Sequence, residues 1–216
     1  QKKGVRWSAS KAWLREALKR PNLTLMTRTH TKGVRIGEVD GRKRAIGIEV
    51  VVDGQGEGVV RARKEVILAA GSIGSPQILQ LSGVGDPMLL AEHGIAVRHA
   101  LPGVGENLQD HPQIRAVYGV EGAKTLNTTA SSLAGKALIA LEYALRRSGP
   151  MSMAPSQLGA FTRSDPSLAH ANLEYHVQPL SLDAFGEPLH AFNAFTASVC
   201  NLNPTSRGRV RVRSAD

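Results

Sequence analysis

The chain has 216 residues, of which 42% are apolar, and it carries a formal net charge of +9. This apolar share is enough to bury a core, so the composition excludes a disordered chain and is typical of one large or two small globular domains. The single cysteine, Cys200, excludes an internal disulfide. No Cys or His grouping has the spacing of zinc ligands, so we expect no metal site.

The two ends of the sequence suggest a piece of a longer protein. No apolar run approaches the roughly 20 residues that a membrane helix needs, so we expect no transmembrane segment. The start, QKKGVRWSAS, has neither an initiator Met nor the apolar centre of a signal peptide. With its cysteine usage, the chain is expected to be a cytoplasmic fragment, and membrane association of the parent protein stays open.

The positive charge favours one alternative function, that of a non-enzymatic basic binding protein. The distribution of the charge speaks against nucleic acid as a partner, because basic residues are spread over the whole length. Basic residues alternate most densely with other residues at Arg207, Arg209, Arg211 and Arg213. This spacing is typical of the solvent face of a strand. No helix-turn-helix, RNP or zinc-finger pattern accompanies the charge, and aromatic residues make up only 4% of the chain.

The first predicted elements are a helix and a β-meander. Ser8 or Ser10 can cap a helix that Pro21 stops, and its apolar side chains, including Trp13 and Leu18, fall on one face that we expect to pack. The segments NLTLMT, AIGIEVVV and VVRARKEVILAAG alternate in the manner of strands. Asp-Gly pairs separate them, and these favour tight reversals, so the three segments predict a small meander.

The middle of the chain has the pattern of a buried strand followed by helices. The run from Val66 to Ala70 is continuously apolar, which predicts a strand covered on both faces within an α/β sheet. Ser75 and Pro76 are the residue types of an N-cap and a first helical position, so we predict a helix that begins at about Pro76 and ends at Gly83. The segment PMLLAEHG predicts a second, shorter helix.

The second half favours a helix and antiparallel strands. Residues 131–147 predict an amphipathic helix whose apolar face points inward, with Leu133, Ala137, Leu141, Ala144 and Leu145. The runs NLEYHVQPL, AFNAFTASVCNL and GRVRVRS predict strands, and the last two should pair antiparallel because no helical crossover separates them. The last strand has no following partner, which predicts that further residues lie downstream in the parent protein.

Residues 71–85, GSIGSPQILQLSGVG, resemble one of the two sequence signatures of the glucose-methanol-choline (GMC) oxidoreductases. The shared pattern is Gly, a small residue, two free positions, Ser-Pro, two aliphatic residues, and then Ser-Gly-aliphatic-Gly. The flanking segments NLTLMTRTHTKGVRI, KEVILAAG, LPGVGENLQDHP and NPTSRGRVRV also resemble segments of that family, so the resemblance spans nearly the whole chain. The sequence looks most like the bacterial choline-dehydrogenase-like members.

The resemblance implies the fold class α/β plus α+β. It implies part of an FAD-binding α/β domain over residues 1–111 and part of an antiparallel-sheet substrate domain over residues 112–216, with separate sheets. FAD is the implied cofactor, and the implied activity is oxidation of the CH–OH group of an alcohol by hydride transfer to flavin, with help from a general base. Choline is the first expected substrate, followed by aliphatic or aryl alcohols. The electron acceptor and the oligomeric state are not indicated.

The resemblance also implies which residues lie near the cofactor. Thr31 takes the place of a strand residue whose main chain meets the adenine of FAD; the alternative is an ordinary meander residue. Ala70 and Gly71 stand beside a helix N-terminus, where α/β sheets tend to bind ligands; the alternative is that the glycine serves close packing only. No catalytic residue is expected here, because the GxGxxG unit and the catalytic His of the family fall outside the chain. The fragment alone should neither hold FAD firmly nor oxidise an alcohol.

Several other residues leave alternatives open. His111 beside Asp110 has the pattern of an oriented base, but we favour the positioning role at the domain junction that the resemblance implies. Met151 and Met153 either face the substrate cavity or pack in their loop. A choline site needs aromatic faces or a carboxylate for the quaternary ammonium. The candidates for that role are Phe161, Glu174, Tyr175 and Phe192.

Overall fold

The computed structural model describes residues 1–154, 156–184 and 186–215, which fall into two compact units. Unit 1 consists of Gln1–Leu23 and Asp110–Pro204, and unit 2 consists of Thr24–Gln109 and the residues from Thr205 onward. The change between residues 109 and 110 lies beside the predicted junction, but both units are discontinuous in sequence. The assignment of residues 1–111 to FAD and of residues 112–216 to the substrate stays a prediction.

Unit 2 begins with the predicted meander. Its three antiparallel strands pair in the order β1-β2-β3, and they are β1 (Thr29–Val39), β2 (Arg42–Val52) and β3 (Gly56–Arg61). Asp40 and Gly41 join the first two strands with φ values of 51° and 70°, the left-handed pair that a two-residue hairpin turn requires. A three-stranded meander is therefore confirmed, but NLTLMT was wrong as its first strand, because β1 begins at Thr29. The third strand ends at Arg61.

The strand predicted from Val66 to Ala70 is wrong for this structure. In the described part of the chain no strand pairs with these residues, and the side chain of Ile67 is 78% exposed. A buried parallel strand exists only between hydrogen-bonded neighbours, and none of the described strands takes that place. The next element, α2 (Gly71–Leu81), is confirmed as a helix but begins five residues before Pro76, which lies inside it.

The rest of unit 2 consists of short elements. These are α3 (Pro87–Glu92), β4 (Val84–Gly85) paired parallel to β5 (His99–Ala100), and β6 (Glu106–Leu108) paired with β11 (Gly208–Arg209). The predicted helix α3 is confirmed, and the carboxylate of Asp86 accepts a hydrogen bond from the Met88 amide at 2.9 Å to cap it. The pairing predicted for GRVRVRS is wrong, because β11 joins β6 and not the strand before it.

Unit 1 is built on a four-stranded antiparallel sheet. The strands pair in the order β7-β10-β9-β8, and they are β7 (Gln113–Gly119), β8 (Leu158–Thr162), β9 (Leu173–Gln178) and β10 (Ala194–Asn201). The helices are a π-turn (Ser10–Leu14) that continues into α1 (Arg15–Ala17), then α4 (Leu126–Thr129) and α5 (Leu133–Arg146), with a 3₁₀ turn at Pro150–Ser152. The runs NLEYHVQPL and AFNAFTASVCNL form strands as predicted, and they pair antiparallel as β9 and β10. Each described sheet lies within one unit, but the pairing of β6 with β11 contradicts the expected separation of sheets between residues 1–111 and 112–216.

The helices predicted before Pro21 and over residues 131–147 are present, but their apolar faces are open. The first begins as a π-turn with Ala9, and neither Ser8 nor Ser10, at its N-cap. Ser132 caps α5 by accepting a hydrogen bond from the Gly135 amide at 3.0 Å. Leu133 is 86% exposed, and Trp13 and Leu145 are also exposed. The prediction that these faces point inward is wrong for the described residues. Amphipathic spacing specifies a helix and its apolar side, but it does not supply the element that covers that side.

The two faces of the four-stranded sheet differ in character. Residues that are directly opposite in antiparallel strands share a face. The register therefore puts on one side, the apolar face, Ile114, Tyr118, Leu158, Tyr175, Val177, Phe195 and Val199. It puts on the other side, the polar face, Arg115, Phe161, Glu174, His176, Gln178, Thr196, Ser198 and Cys200.

The polar face is the better covered of the two. The Thr196 hydroxyl donates to the Leu180 carbonyl at 2.8 Å, which holds the segment after β9 over this face, and Thr196 is fully buried. Cys200 is also buried. On the apolar face, by contrast, Ile114 and Leu158 are largely exposed. The sheet thus buries its hydroxyl groups and leaves several aliphatic side chains open.

Candidate functional site

The signature segment starts with the turn at Ala70 and Gly71. Gly71 has φ 79°, a conformation that glycine adopts without strain, and a Cβ there would meet nothing within 4 Å. The Ser75 hydroxyl accepts a hydrogen bond from the Ala70 amide at 3.1 Å. Ser75 therefore stabilises the entry into α2 from within the helix and does not precede it as the predicted N-cap.

Ser82, directly after α2, ties the signature segment to the meander. Its hydroxyl accepts a hydrogen bond from the Val34 amide at 2.7 Å and donates to the Ile78 carbonyl at 2.5 Å. Val34 lies in β1, whose other side pairs with β2. One serine hydroxyl therefore satisfies a main-chain donor on the free edge of β1 and a carbonyl at the end of α2.

Gln80 is the centre of unit 2, and its amide group is fully buried. Its Nε2 donates to the carbonyls of Val104 and Val210 at 3.2 and 2.9 Å, and its Oε1 accepts from the Val212 amide at 2.9 Å. A buried amide must find partners for its polar atoms, and here all three are main-chain groups. Sequence reasoning missed this residue, although a Gln among Ile78, Leu79 and Leu81 is a signal for a paired buried amide.

A cleft of about 370 Å³ lies within unit 2 beside the free edge of β1. Residues 32–36 of β1 form one wall, and the end of α2 with Ile95 and Ala96 forms another. Lys32, Arg35 and Arg98 outnumber the single acidic residue of the lining, Glu49. Lys32 pairs with Glu57 at 2.7 Å and Arg35 lies 3.8 Å from Glu49, so most of this positive charge is balanced by neighbouring carboxylates.

The structure places the three predicted cofactor residues on two elements of unit 2. Thr31 is half-buried on β1, next to Lys32 of the cleft, whereas Ala70 and Gly71 are exposed at the N-terminus of α2. The Ser82 hydrogen bond joins β1 to the other end of α2, about 16 Å along the helix axis from Gly71. The described contacts do not bring Thr31 to Gly71. The three residues therefore lie on separate parts of unit 2 and share no compact pocket among the described residues.

A second buried amide, Asn127, organises unit 1. Its Oδ1 accepts from the Ser181 amide at 2.8 Å, and its Nδ2 donates to the carbonyls of Ser181 and His190 at 3.0 and 2.9 Å. These hydrogen bonds hold both ends of the hairpin, at residues 181 and 190, against α4. Sequence reasoning missed Asn127 as well, and the surrounding LNTT gives no signal of burial.

The same hairpin holds a serine, a histidine and an aspartate in a row. His190 Nδ1 lies 2.9 Å from the Ser181 hydroxyl, and His190 Nε2 lies 3.1 Å from an Asp183 carboxylate oxygen. A nucleophilic serine must reach its substrate, but Ser181 is fully buried and also receives a hydrogen bond from Asn127. The contacts among Ser181, His190 and Asp183 therefore have a structural role and hold the hairpin together.

The candidates for recognition of a cationic alcohol separate in the structure. Glu174 and Phe161 are cross-strand partners on the polar face, whereas Tyr175 lies on the apolar face. Phe192 stacks on the His190 ring with centroids 5.1 Å apart. Met151 and Met153 are exposed in and after the 3₁₀ turn, and a cavity role for them stays a prediction.

The remaining polar candidates are surface features. The Asp110 carboxylate accepts from the His111 amide at 3.0 Å, so this contact does not orient the imidazole ring as a base. The Lys32 ammonium, by hydrogen bonding and by charge, lowers the pKa of Glu57. Hydrogen bonds from the Ser167 hydroxyl and amide lower the pKa of Asp165. Both carboxyl groups are fully exposed, so these shifts describe surface pairs.

Neither a metal centre nor a membrane span is found in the described parts of the chain. Among residues 1–154, 156–184 and 186–215, no group of three or more His, Cys, Asp or Glu side chains could hold a metal ion. None of the described helices has both the length and the apolar character that crossing a bilayer requires.

Known proteins similar to this chain agree on one family. The family model described as GMC oxidoreductase matches residues 1–113. An oxygen-dependent choline dehydrogenase of Photobacterium profundum is 42% identical over 99% of the chain and 37% of the relative. An alcohol dehydrogenase [acceptor] of Pseudomonas putida is 35% identical over 100% of the chain and 39% of the relative.

Solved structures agree with the sequence relatives. A formate oxidase of Aspergillus oryzae, studied for modification of its FAD, superposes with a TM-score of 0.77 at 25% identity, over 91% of the chain and 38% of that protein. The chain thus spans well under half the length of these relatives. The similarity nevertheless extends over nearly all of the chain, in both units.

Proposed function

Because the chain belongs to the GMC oxidoreductase family, we propose that the protein of which it forms part oxidises the CH–OH group of a small-molecule alcohol, with FAD as the cofactor. The observation that carries this proposal is the family match over residues 1–113, which includes the signature helix α2 and its buried Gln80. Bound FAD would supply the redox chemistry as the hydride acceptor, and the protein would supply binding and orientation.

Within this proposal, unit 2 contributes to FAD binding. Thr31 offers main-chain groups of β1 to the adenine, and Arg98 lines the neighbouring cleft. The N-terminus of α2 favours an anionic or polar group near Ala70 and Gly71, since its first amides have no partner within the helix. No residue of this chain is proposed as the general base or as a metal ligand.

Choline is the first substrate that we propose, and other primary alcohols follow. Relatives named as choline dehydrogenases and as an alcohol dehydrogenase, together with the negative charge of Glu174 beside Phe161, support this order. We place the FAD part in residues 1–111, the substrate part in residues 112–216, and the parent protein in a bacterial cytoplasm.

The test compares the whole gene product with the 216-residue chain. Flavin absorbance and dye reduction are recorded with choline and a panel of primary alcohols. We expect a yellow, active whole protein and a colourless, inactive chain, because most of the relatives' length lies outside the chain. Stoichiometric FAD on the chain alone would show that the cofactor site is misplaced.

A whole protein that binds no flavin would contradict the proposed activity itself. If that protein instead bound nucleic acid with a steep dependence on salt, it would be the basic binding protein that the net charge allows. The two outcomes are distinguishable, because a salt titration of nucleic-acid affinity does not depend on flavin content.

A further inference from the structure

A pocket of about 580 Å³ lies in the N-terminal segment of unit 1. Among the described residues, Glu16 is its one acidic lining residue, and Val5 and Trp7 supply apolar surface. The cations of the lining are Lys2, Lys3, Lys11 and Arg15. A pocket of this size is in the range that holds small molecules, and its lining has an excess of positive charge.

A tight turn holds two of the lysines at this pocket. The Lys2 amide donates to the Val5 carbonyl at 3.0 Å, and the Val5 amide donates to the Lys2 carbonyl at 3.1 Å. Lys3 and Gly4, the two central residues of the turn, have φ values of 52° and 69°. A Cβ on Gly4 would collide with the carbonyl of Arg147 at the end of α5, so the turn is packed against that helix. Lys2 and Lys3 are therefore carried by an anchored turn.

Two of the cations are oriented by groups that carry no net charge. Lys2 Nζ lies 4.8 Å from the centroid of the Trp7 ring, which is a cation–π contact. The ammonium group of Lys11, in the π-turn, donates to the Arg6 carbonyl at 3.4 Å. A ring and a carbonyl hold an ammonium group in place without cancelling its charge. Both lysines therefore keep their positive charge for a ligand.

The charge of this pocket is not balanced by carboxylates. Glu16 Oε2 pairs with Lys19 Nζ at 2.8 Å, and Lys19 lies outside the lining. Within the described part of the chain, no ion pair joins a carboxylate to any of the four lining cations. In the cleft beside β1, by contrast, Lys32 and Arg35 each have a carboxylate neighbour. Cations clustered without counterions concentrate anions at their surface.

We infer that the pocket formed by residues 2–16 binds a phosphate-bearing anion. A phosphate group has several acceptor oxygens, so it takes charge-assisted hydrogen bonds from ammonium and guanidinium groups at the same time. Lys3 and Arg15 supply such donors, and Trp7 and Val5 offer a surface for the apolar part of the ligand. A soluble phosphate ester and the headgroup of an anionic phospholipid share this chemistry.

The experiment uses the whole FAD-loaded protein, so that the cofactor site is occupied, and one probe for each source. Inorganic pyrophosphate, titrated by calorimetry, represents the soluble phosphate. Vesicles of phosphatidylglycerol and phosphatidylcholine, measured by co-sedimentation against vesicles of phosphatidylcholine alone, represent the lipid headgroup. We expect binding of at least one probe at low ionic strength, and weaker binding as salt screens the charges.

Three substitutions in the lining test the residues of the pocket. Lys3→Gln and Arg15→Gln should each lower the affinity for the bound probe about three- to tenfold, because each removes one charged donor. Glu16→Gln should raise that affinity about twofold, because it removes the acidic group of the lining. Thermal unfolding of each variant, compared with the unmodified protein, separates a loss of the site from a loss of the fold.

Arg20→Gln is the matched control, since it removes one positive charge from an exposed position outside the lining. It should change the affinity by less than about 1.5-fold. Pyrophosphate binding that weakens in the lining variants supports the site with a soluble ligand, and the same pattern with vesicles supports it with a lipid headgroup. Binding of neither probe, or an equal loss with Arg20→Gln, would overturn the site.

Discussion

Two buried side-chain amides, Gln80 in unit 2 and Asn127 in unit 1, have the same structural role in different surroundings. Each is almost completely buried, and each uses both its oxygen and its nitrogen on main-chain groups of a segment distant in sequence. Gln80 reaches residues up to 132 positions away, whereas Asn127 reaches residues up to 63 positions away. Both units are therefore held together by a buried polar centre.

Gln80 and Asn127 differ in which main-chain groups would lose a hydrogen-bond partner if the side chain were removed. The partners of Gln80 are Val104, Val210 and the buried Val212, which belong to two separate segments. These segments also meet through the Val210 amide and the Gly105 carbonyl, the Arg211–Glu106 ion pair and the short β6–β11 pair. The partners of Asn127 belong to one hairpin, which the Leu182–Leu189 bridge also closes. We therefore expect Gln80 to be the more important for stability.

The largest effect is expected for Gln80→Ala. It leaves two carbonyls and one amide unpaired, and each such group costs about 1–3 kcal/mol when it stays buried. We expect a loss of about 3–6 kcal/mol in the free energy of unfolding, measured by urea denaturation, and faster hydrogen exchange at the Val212 amide. Gln77→Ala, at an exposed position of the same helix, is the control and should change stability by less than about 0.5 kcal/mol.

Asn127→Ala should have the second largest effect, about 2–4 kcal/mol, because the hairpin can draw water to its freed carbonyls. Asn127→Asp keeps the acceptor for the Ser181 amide but loses both donors, so we expect it to recover only part of the loss. Urea denaturation of both variants measures this. A cost for Asn127→Ala above that of Gln80→Ala would reverse the comparison between the units.

Gly83→Ala tests whether unit 2 also depends on close backbone packing. Gly83 and Gly94 both have positive φ, 80° and 67°, but a Cβ at Gly83 would collide with the Ala96 carbonyl, whereas one at Gly94 would meet nothing within 4 Å. Both substitutions carry the left-handed strain of about 1–2 kcal/mol. We expect Gly83→Ala to cost about 1–3 kcal/mol more than Gly94→Ala in thermal unfolding. Equal costs would show that residues 96–98 move aside freely.

The smallest effect concerns an exposed polar contact, the counterpart of the two buried amides. Ser167 lowers the pKa of Asp165, so the contact stabilises the folded state above the ordinary carboxyl pKa, and this contribution is lost as the pH falls through the lowered value. Ser167→Ala should raise the pKa of Asp165 towards its ordinary value, as measured by NMR titration. Thermal stability at neutral pH should hardly change, because the carboxyl is fully exposed. A clear loss of stability there would contradict the surface role.

The local features of this fold were predictable from the sequence because their causes are local. Alternation and the Asp-Gly pair specify the meander, and Asp86 with Pro87 specifies the start of α3. The start of α2 was predicted wrongly. Ser75 and Pro76 are residue types that commonly begin a helix, but both lie inside α2. The strand expected from Val66 to Ala70 failed for a different reason, since an apolar run becomes a strand only beside a hydrogen-bonded neighbour.

The candidate site was less predictable than the fold. Thr31, Ala70 and Gly71 came from a resemblance, and their contacts with FAD remain a prediction. Gln80 and Asn127 could not be identified as centres, because their partners are main-chain groups that carry no sequence signal. Phe161 and Glu174 were two of four candidates, and only the register of β8 with β9 makes them neighbours.

The two-residue turn at Asp40 and Gly41 has a consequence for the order in which the chain folds. It joins two strands of 11 residues each, so the β1–β2 hairpin closes through contacts that are all near in sequence. Hairpins of this kind form in about 1–10 μs, whereas the Gln80 contacts must wait for segments more than 100 residues apart to meet. The hairpin is therefore expected to be the template on which unit 2 assembles, with Gln80 closing the structure last.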